Sequence, residues 1–555
     1  MTGAEILLET LLTQGVEVVF GYPGGAILNV YDALYRQGGK IRHVTGSHEQ
    51  GAAHAADGYA RSTGRVGVVF ATSGPGATNL VTGLATAYHD SVPMVAVTCN
   101  VSRDLLGRDS FQEVNIVEIA RPVVKWSRQI TDVTRLGETV RQAFEIAASG
   151  RKGPVLLDIP KDITAMEAPY HPLPRYRLSP DPLPDPQSLD QAAQLLLRAQ
   201  RPLIYAGGGV TFSDSSDALK ALAERIDAPV CLSMMGLSSL PPDSPYYLGL
   251  VGMHGSPAAN RAVLNCDVLL TVGARFSDRV TGDRERFAKD AVIIHIDIDP
   301  AELSKNVPAA HHLVGDAGVC LRELTRRLPK QERRDWRSAV SGYRKNAPLP
   351  NAPAQPEDPA TPREILRQLP FYCGHEDIIV TDVGQHQMFT AQYYPFYKPR
   401  TFLSSCGLGT MGYGMGAANG AAVGNPDKRV VLVTGDGSFH MNLPELAVAV
   451  TQQLPIVVLV MNNHVLGMVH QWQKLFYEER YSQTEIDRKT DYKALGEAFG
   501  AQGMRITKVA QIRPVLTAAF AQSGPVVVDC QIPASQRVFP IIPPGKTGHD
   551  MIFHD

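Results

Sequence analysis

The sequence predicts an α/β protein built from three doubly wound parallel-sheet domains. Three observations carry that prediction. The 555 residues suffice for about three domains at roughly 100–200 residues each. Two proline-rich stretches cut the chain into comparable thirds. Within each third, short continuous apolar runs alternate with helical patterns, as strands buried on both faces of a parallel sheet require.

The first proline-rich stretch, about 168–186, holds Pro169, Pro172, Pro174, Pro180, Pro182, Pro184 and Pro186; the second, about 347–362, holds six more. Proline donates nothing to a ladder and restricts its neighbour, so both stretches read as extended linkers. The predicted domains are therefore 1–167, 187–346 and 363–555. The first offers strands at 18–20, 66–70, 94–98 and 155–158. The second offers them at 203–205, 268–272 and 292–296, and the third at 378–381, 401–405, 430–434, 456–460 and 526–529. Ligands in such sheets sit beyond the carboxyl ends of the strands, so each Gly-rich turn after a strand is a candidate site.

Composition narrows the function. Hydrophobic residues make up 44% and charged residues 19%, a globular balance. Lys plus Arg is 53 against 55 for Asp plus Glu, which argues against a chain built to coat nucleic acid or anionic membrane. The seven cysteines form no CxxC, so neither a disulfide framework nor a zinc site is indicated and a reducing cytoplasm is the expected setting. The start, Met1-Thr-Gly-Ala-Glu-Ile6, enters a helical pattern at once, without a basic-then-apolar or Arg/Ser-rich leader. Apolar runs such as 455–461 fall far short of the ~20 residues of a membrane helix. A soluble, untargeted protein is expected.

Chemistry concentrates in a few motifs. Asp436 lies in Thr434-Gly435-Asp436-Gly437-Ser438 directly after a predicted strand, and Asn463 follows the next one. A carboxylate and an amide oxygen at one sheet edge are hard ligands suited to Mg²⁺, which shares its octahedron with phosphate oxygens. Alone, each reads as a turn or helix-start residue; paired, they point to a diphosphate–Mg²⁺ site. Gly407-Leu-Gly-Thr-Met-Gly412 matches a dinucleotide fingerprint, but it shares a sheet with Asp436, and one diphosphate ligand would explain both. Gly412 and Gly414 read as packing glycines. Glu49 begins an Ala/Gly-rich helix, with Ser47 and Gln50 as a candidate capping box. A carboxyl at that buried start would be desolvated and able to exchange protons near neutrality. Further Gly-rich turns occur at 21–26, 73–79 and 207–209. There is no GxxxxGK[ST], GxSxG or HExxH, and the histidines are scattered.

Together these motifs resemble the acetohydroxyacid (acetolactate) synthases, catalytic large subunit, of the thiamine-diphosphate enzymes. GYPGGA at 21–26, HEQGAAHAADGYAR at 48–61, SGPGATN at 73–79 and FQEV at 111–114 carry the resemblance in the first third. RFSDRVTG at 275–282 and HIDIDPAEL at 295–303 carry it in the second. GQHQM at 384–388, GLGTMGYG at 407–414, GDGSF at 435–439 and NNHVLGMVHQWQ at 462–473 carry it in the third.

The resemblance implies a pyrimidine-binding, a central FAD-binding and a diphosphate-binding domain, and thiamine diphosphate, Mg²⁺ and FAD as cofactors. It implies pyruvate and 2-ketobutyrate as substrates in branched-chain amino-acid biosynthesis. It also implies a homodimer or dimer of dimers with the sites between subunits, and a small regulatory subunit. Glu49 would promote the reactive tautomer of the cofactor, with Asp436, Asn463 and the Val465 carbonyl on Mg²⁺. Gly384, Gln385, His386, Gly435, Gly437 and Ser438 would contact the diphosphate, and Met411 would hold the cofactor bent. Gly25, Phe111, Gln112, Lys161 and Met468 would line the pocket, Arg279 would meet the acceptor carboxylate, and Trp472 would favour 2-ketobutyrate. Arg151, Gly207, Gly208, Gly209, Met253, His254, Arg275, Asp297 and Asp316 would contact FAD. The chain departs from the family pattern at Cys99-Asn100-Val101, Ser277 and Met415-Gly416, away from Glu49 and the metal ligands. RFSDRVTG argues against a flavin-free catabolic synthase, Glu49 against glyoxylate carboligase, and Trp472 against pyruvate oxidase. The GxGxxG leaves an NAD dehydrogenase as the reading from another class, and a non-catalytic thiamine-binding partner is opposed by Glu49 and Asp436.

Overall fold

The computed structural model describes residues 1–178, 180–181, 183–345, 354–486 and 488–554. Pro182 and the first part of the second proline-rich stretch, 347–353, lie outside the described residues. Among these residues the strands form three six-stranded sheets, and every paired neighbour is parallel.

The first sheet contains β1 (Val18–Gly21), β2 (Arg42–Thr45), β3 (Gly67–Ala71), β4 (Met94–Asn100), β5 (Trp126–Gln129) and β6 (Pro154–Pro160), in the order β2-β1-β3-β4-β6-β5. The second contains β7 (Pro202–Ala206), β8 (Val230–Leu232), β9 (Tyr247–Leu250), β10 (Val268–Val272), β11 (Val292–Asp297) and β12 (His311–Val314), in the order β12-β11-β10-β7-β8-β9. The third contains β13 (Ile378–Thr381), β14 (Phe402–Leu403), β15 (Val430–Gly435), β16 (Ile456–Asn462), β17 (Gln502–Ile506) and β18 (Val526–Gln531), in the order β14-β13-β15-β16-β18-β17. Numbered from its own first strand, the third sheet repeats the order of the first.

β3, β4, β6, β7, β10, β15 and β16 are buried at every residue, which is why they read as unbroken apolar runs. The strand expected at 401–405 shortens to the two residues of β14 at the sheet edge.

The first and third sheets meet through two helices, Glu49–Thr63 and Tyr413–Gly424, each following the strand at the equivalent edge. Small residues let the backbones touch: a Cβ on Gly58 would overlap the Ala417 carbonyl, and one on Gly420 the Ala55 carbonyl. Ala52, Ala55, Ala56 and Tyr59 thereby join Tyr413, Ala417, Ala418 and Ala421 in one hydrophobic core. A buried polar network crosses the same seam. Arg61 Nε donates to Asp57 Oδ1 at 2.6 Å, Nη2 to Asp90 Oδ2 at 2.9 Å and Nη1 to the Ser404 carbonyl at 3.0 Å. Tyr413 Oη donates to Asp57 Oδ1 at 2.7 Å. Asp90 in turn accepts from the backbone N–H groups of Cys406 (3.0 Å) and Gly407 (2.7 Å). The GxGxxG turn thus spends its first N–H groups on a side chain of the first domain. It opens a helix that packs on another helix, while Gly409 and Met411 of the same turn border the large cleft beside the Asp436 group.

Gly420→Val should shift the thermal unfolding midpoint down. Its side chain must displace backbone rather than a flexible side chain, an overpacking cost of about 1–3 kcal/mol. A scan showing an unchanged midpoint would contradict the packing described.

Candidate active site

Glu49 opens the helix that follows β2. The helix is capped by His48, whose Nδ1 accepts from Gln50 N at 3.1 Å. The expected Ser47–Gln50 capping box is therefore corrected: His48, in extended conformation, occupies the cap, and the Ser47 hydroxyl donates to the Pro444 carbonyl at 2.8 Å. Glu49 is buried, and its Oε2 accepts from Asn79 Nδ2 at 2.9 Å. Asn79 comes from the turn after β3. In that turn a Cβ on Gly76 would lie 3.1 Å from Glu49 Oε1. Gly74 abuts Gln112, whose φ of +61° is a strained conformation for a non-glycine residue. Gly24, after β1, packs on Thr72, whereas Gly25 faces open space. The carboxyl ends of β1, β2, β3 and β4 therefore bring Gly25, Glu49, Asn79 and Gln112 to one mouth. Phe111 beside it is 87% exposed. Lys161 starts a short helix nearby, its carbonyl accepting from Asn29 Nδ2 at 3.3 Å.

A second group forms at the carboxyl ends of β13, β15 and β16. Three helices start there: Gln385–Tyr393, Asp436–Asn442 and Gly467–Phe476. Their free N–H groups and dipoles favour an anion. Asp436 Oδ1 accepts from Gly437 N at 3.0 Å and Oδ2 from His464 N at 2.8 Å, while Asn463 Oδ1 accepts from Val465 N at 3.2 Å. Burial pushes the Asp436 carboxyl up to about 6. A bound cation would oppose that shift. The His386 ring fits between Gly384 and Gly435, where a Cβ on either would come within 2.9 Å of it. Burial lowers this histidine to about 3, so it is neutral. His386 Nε2 and Gln385 Oε1 are buried without a hydrogen-bond partner. Ser438 Oγ donates to the Val383 carbonyl at 2.9 Å, and Met411 lies against Gly437. Unpaired polar atoms, helix N-termini and oxygen donors of this kind fit a diphosphate with a hard divalent cation held by Asp436, Asn463 and the Val465 carbonyl.

A third group lines a cleft of about 1020 Å³ between the central domain and its neighbours, at the upper end of the ~300–1,000 Å³ usual for ligand sites. Arg151, Gly208, Gly209, Met253, His254, Arg275, Arg279, Asp297, Asp316, Gly384, Met411, Met468 and Trp472 all border it. Burial raises Asp297 to about 6 and lowers His254 to about 4. Arg151 pairs with Glu302 at 2.8 Å, and Arg275 Nη2 donates to the His89 carbonyl at 2.6 Å. Gly207 and Gly209 face the backbone of Gly273 and Ala274, so the close approach they permit is to the neighbouring turn. A large ligand with hydroxyl groups, such as a flavin dinucleotide, fits this wall of strand-end carboxylates. The Arg279 guanidinium sits 5.2 Å from the Trp472 ring centroid, while its contact with Asp278 is a loose 3.9 Å between exposed groups. Trp472 Nε1 is buried without a partner. Among the described residues, Glu49's side-chain hydrogen bond is the one from Asn79, and none joins it to the Asp436 group.

Family models match all three parts. "Thiamine pyrophosphate enzyme, N-terminal TPP binding domain" matches residues 1–119, the central domain of the same enzymes 189–324, and their C-terminal TPP binding domain 382–530. The acetolactate synthase isozyme 2 large subunit of Escherichia coli is 43% identical, covering 100% of this chain and 99% of its own length. The acetolactate synthase large subunit of Parasynechococcus marenigrum is 43% identical over 100% of this chain and 91% of its own length. That of the alga Cyanidium caldarium is 41% identical over 99% and 96%. The chain belongs to the acetolactate synthase large-subunit family of thiamine-diphosphate enzymes. Sequence reading missed Asn79 as the partner of Glu49, although it lies within the 73–79 motif. It also missed Asp382, which accepts from Gly412 N at 2.8 Å and is raised to about 6 by burial. Its place directly after the strand at 378–381 was the available signal.

Asp436→Ala should weaken Mg²⁺-dependent thiamine diphosphate binding by more than about tenfold, read by calorimetry, since even outer ligands of metal sites cost that much. Unchanged affinity would displace the metal from this pair.

Proposed function

We propose that the chain decarboxylates pyruvate and joins the two-carbon unit to a second 2-keto acid, pyruvate or 2-ketobutyrate, in branched-chain amino-acid biosynthesis. The observation that supports it most directly is a buried carboxylate, Glu49, held by one amide. It is matched in the same family fold by the anion- and cation-binding group around Asp436. Thiamine diphosphate, when bound, supplies a carbon nucleophile and an electron sink for decarboxylation. Asn79 fixes Oε2 of Glu49 and leaves Oε1 free to hold and pass a proton at the cofactor ring. Asp436, Asn463 and the Val465 carbonyl would hold Mg²⁺, and the three helix N-termini with Gln385, His386, Gly435, Gly437 and Ser438 would receive the diphosphate. Met411, lying against Gly437, would support the cofactor from that side. Arg279, stacked on Trp472, offers its guanidinium to the acceptor carboxylate. Met468 and Trp472 give the acceptor's alkyl group an apolar wall, with Gly25, Phe111, Gln112 and Lys161 closing the pocket.

We assign pyrimidine binding to 1–167, FAD binding to 187–346 and diphosphate binding to 363–555. Glu49 and Asp436 lie in separate groups, so each site is completed by a second copy. Exposed Tyr22, Leu28 and Phe111 on the Glu49 side and Leu408 and Met441 on the other suit a self-complementary interface. The relatives are named large subunits, which supports a small regulatory partner. Among the described residues no helix is long and apolar enough to cross a membrane, and the seven free thiols suit a reducing cytoplasm.

Purified protein with thiamine diphosphate, Mg²⁺ and FAD should turn pyruvate into acetolactate, and a mixture with 2-ketobutyrate into acetohydroxybutyrate; no carboligation would defeat the reading. Glu49→Gln should retain the fold and most cofactor affinity yet lose about 10²–10⁴-fold in kcat, the contribution of a positioned proton-transfer group. Substantial acetolactate formation by this variant would remove Glu49 from the proton step.

The flavin makes a separate prediction. Stoichiometric FAD should occupy the cleft bordered by Arg151, His254, Arg275, Asp297 and Asp316, although the reaction needs no net redox. A ligand bound only by the folded state stabilises it, so removing FAD should lower the melting temperature and activity together. A redox-inert flavin analogue should restore both. Full activity in flavin-free protein would place the chain with flavin-independent synthases.

A further inference from the structure

Glu445 is a carboxylate that the proposed mechanism does not use. It ends a short turn, Leu443–Glu445, that follows the helix carrying Asp436, and it is 1% exposed. Among the described residues no Lys, Arg or His forms a salt bridge with it. Burying an unpaired carboxylate is costly, so its place calls for a compensating interaction. Oε1 alone accepts two hydrogen bonds from the first domain, from Ser47 N at 3.0 Å and His48 N at 2.9 Å. These are the residues immediately before Glu49. Burial pushes Glu445 up to about 7, while the same two N–H groups hold it down.

The consequence lies in what Glu49 is spared. A glutamate in the first turn of a helix ordinarily serves that helix, accepting from its unpaired N–H groups. Here the N–H groups just ahead of that turn are held by another side chain, since Ser47 N and His48 N go to Glu445, and inside the turn Gln50 N goes to the His48 ring at 3.1 Å. The Glu49 carboxylate is left with Asn79 and turned toward the mouth. The seat is built for Glu445 from both sides. A Cβ on Gly51 would overlap its carboxyl group, and Asn419 Nδ2 anchors its carbonyl at 2.9 Å.

We propose that Glu445 is a positioning residue that sets the direction of Glu49 by taking over the N–H groups ahead of its helix. The inference rests on the role proposed for Glu49. It names a contact between the third domain and the helix start of the first within one chain, so Glu445 serves its own chain's Glu49.

Three variants and two readouts test it. Glu445→Ala removes the acceptor. Gly51→Ala leaves it in place but crowds it out. Glu445→Gln keeps an oxygen able to accept both bonds. In cofactor-free protein, hydrogen exchange at the Ser47 and His48 amides should accelerate about tenfold or more in the first two variants, the loss of one ordinary hydrogen bond, and should stay near wild type in the third. With cofactors, the first two should lose about 10–100-fold in kcat at little-changed KM for pyruvate, the scale of a misplacement near 1 Å, and Glu445→Gln should keep most of it. Unchanged exchange in both Glu445→Ala and Gly51→Ala would overturn the hydrogen-bond assignment, independently of what Glu49 does. Faster exchange with unchanged kcat would overturn the positioning role. A Glu445→Gln variant as impaired as Glu445→Ala would overturn it too, since charge rather than geometry would then be at work. If Glu49→Gln proves active while exchange behaves as expected, the role of Glu49 fails and not the contact.

Discussion

Arg61 has almost no access to water, and the arrangement of the molecule follows from how its charge is met. Two carboxylates, Asp57 and Asp90, take most of its guanidinium, and the Ser404 carbonyl and Met235 Sδ take what is left. Such a group is tolerated only when every donor is paired, and removing one partner of a buried pair costs about 3–5 kcal/mol. The pairing can be complete only if the first and third domains are docked, because the acceptors come from both. Tyr413 and the N–H groups of Cys406 and Gly407 extend the network into the turn that carries Met411. Apolar contact between the two Ala/Gly helices supplies attraction without much direction. The buried charges supply the direction, and with it the placing of a turn that borders the cleft.

The shared strand order of the first and third sheets gives this docking a symmetry. Glu49 opens the helix after β2 and Tyr413 opens the helix after β14, and these equivalent helices pack on each other. The turns after β1 and β3 likewise match those after β13 and β15. One set presents a carboxylate, an amide and open space at Gly25. The other presents helix N-termini and oxygen donors. Each half would suit one end of an elongated cofactor with a neutral ring and a charged tail, and neither suits both. On the proposed reading, a second copy brings the complementary halves together, which gives the exposed Phe111 and Met441 a reason to be apolar.

How much of this was legible follows from burial. Every fully buried strand of four or more residues stood out as an apolar run, because both its faces meet helices. The strands that did not stand out, β2, β5, β9, β12 and β17, lie at sheet edges, where polar residues are tolerated, and β8 is only three residues long. Asp436 and Asn463 were legible since each follows a central strand, and parallel sheets gather such residues at one edge. Ser47 was read as the helix cap because serine is the commoner cap; His48 took the position through ring nitrogen geometry that spacing does not reveal. Glu445 was not legible. Its partners lie 398 and 397 residues away, and the only trace is a glycine at 51 with no local need to be one.

Arg279 and Trp472 show how the acceptor pocket proposed above would depend on the whole assembly. The first comes from the central domain and the second from the third, yet they stack at 5.2 Å across the cleft. The stack is steadied from outside. Met253 N donates to the Arg279 carbonyl at 2.8 Å, and the C-terminal segment returns to the same place, Ile542 N donating to the Met253 carbonyl at 2.8 Å and Asp283 N to that of Lys546 at 3.1 Å. On the proposed reading this wall must tell 2-ketobutyrate from pyruvate, a difference of one methylene worth only about 1–3 kcal/mol in an apolar pocket. A preference that small survives only if the wall does not move. The guanidinium supplies a fixed point for the carboxylate that both acceptors share. Discrimination is then left to how closely the indole and Met468 approach the alkyl group. On that reading, because the approach spans two domains, the tail at 541–548, which ties to Met253 and Asp283, would help hold the wall in place.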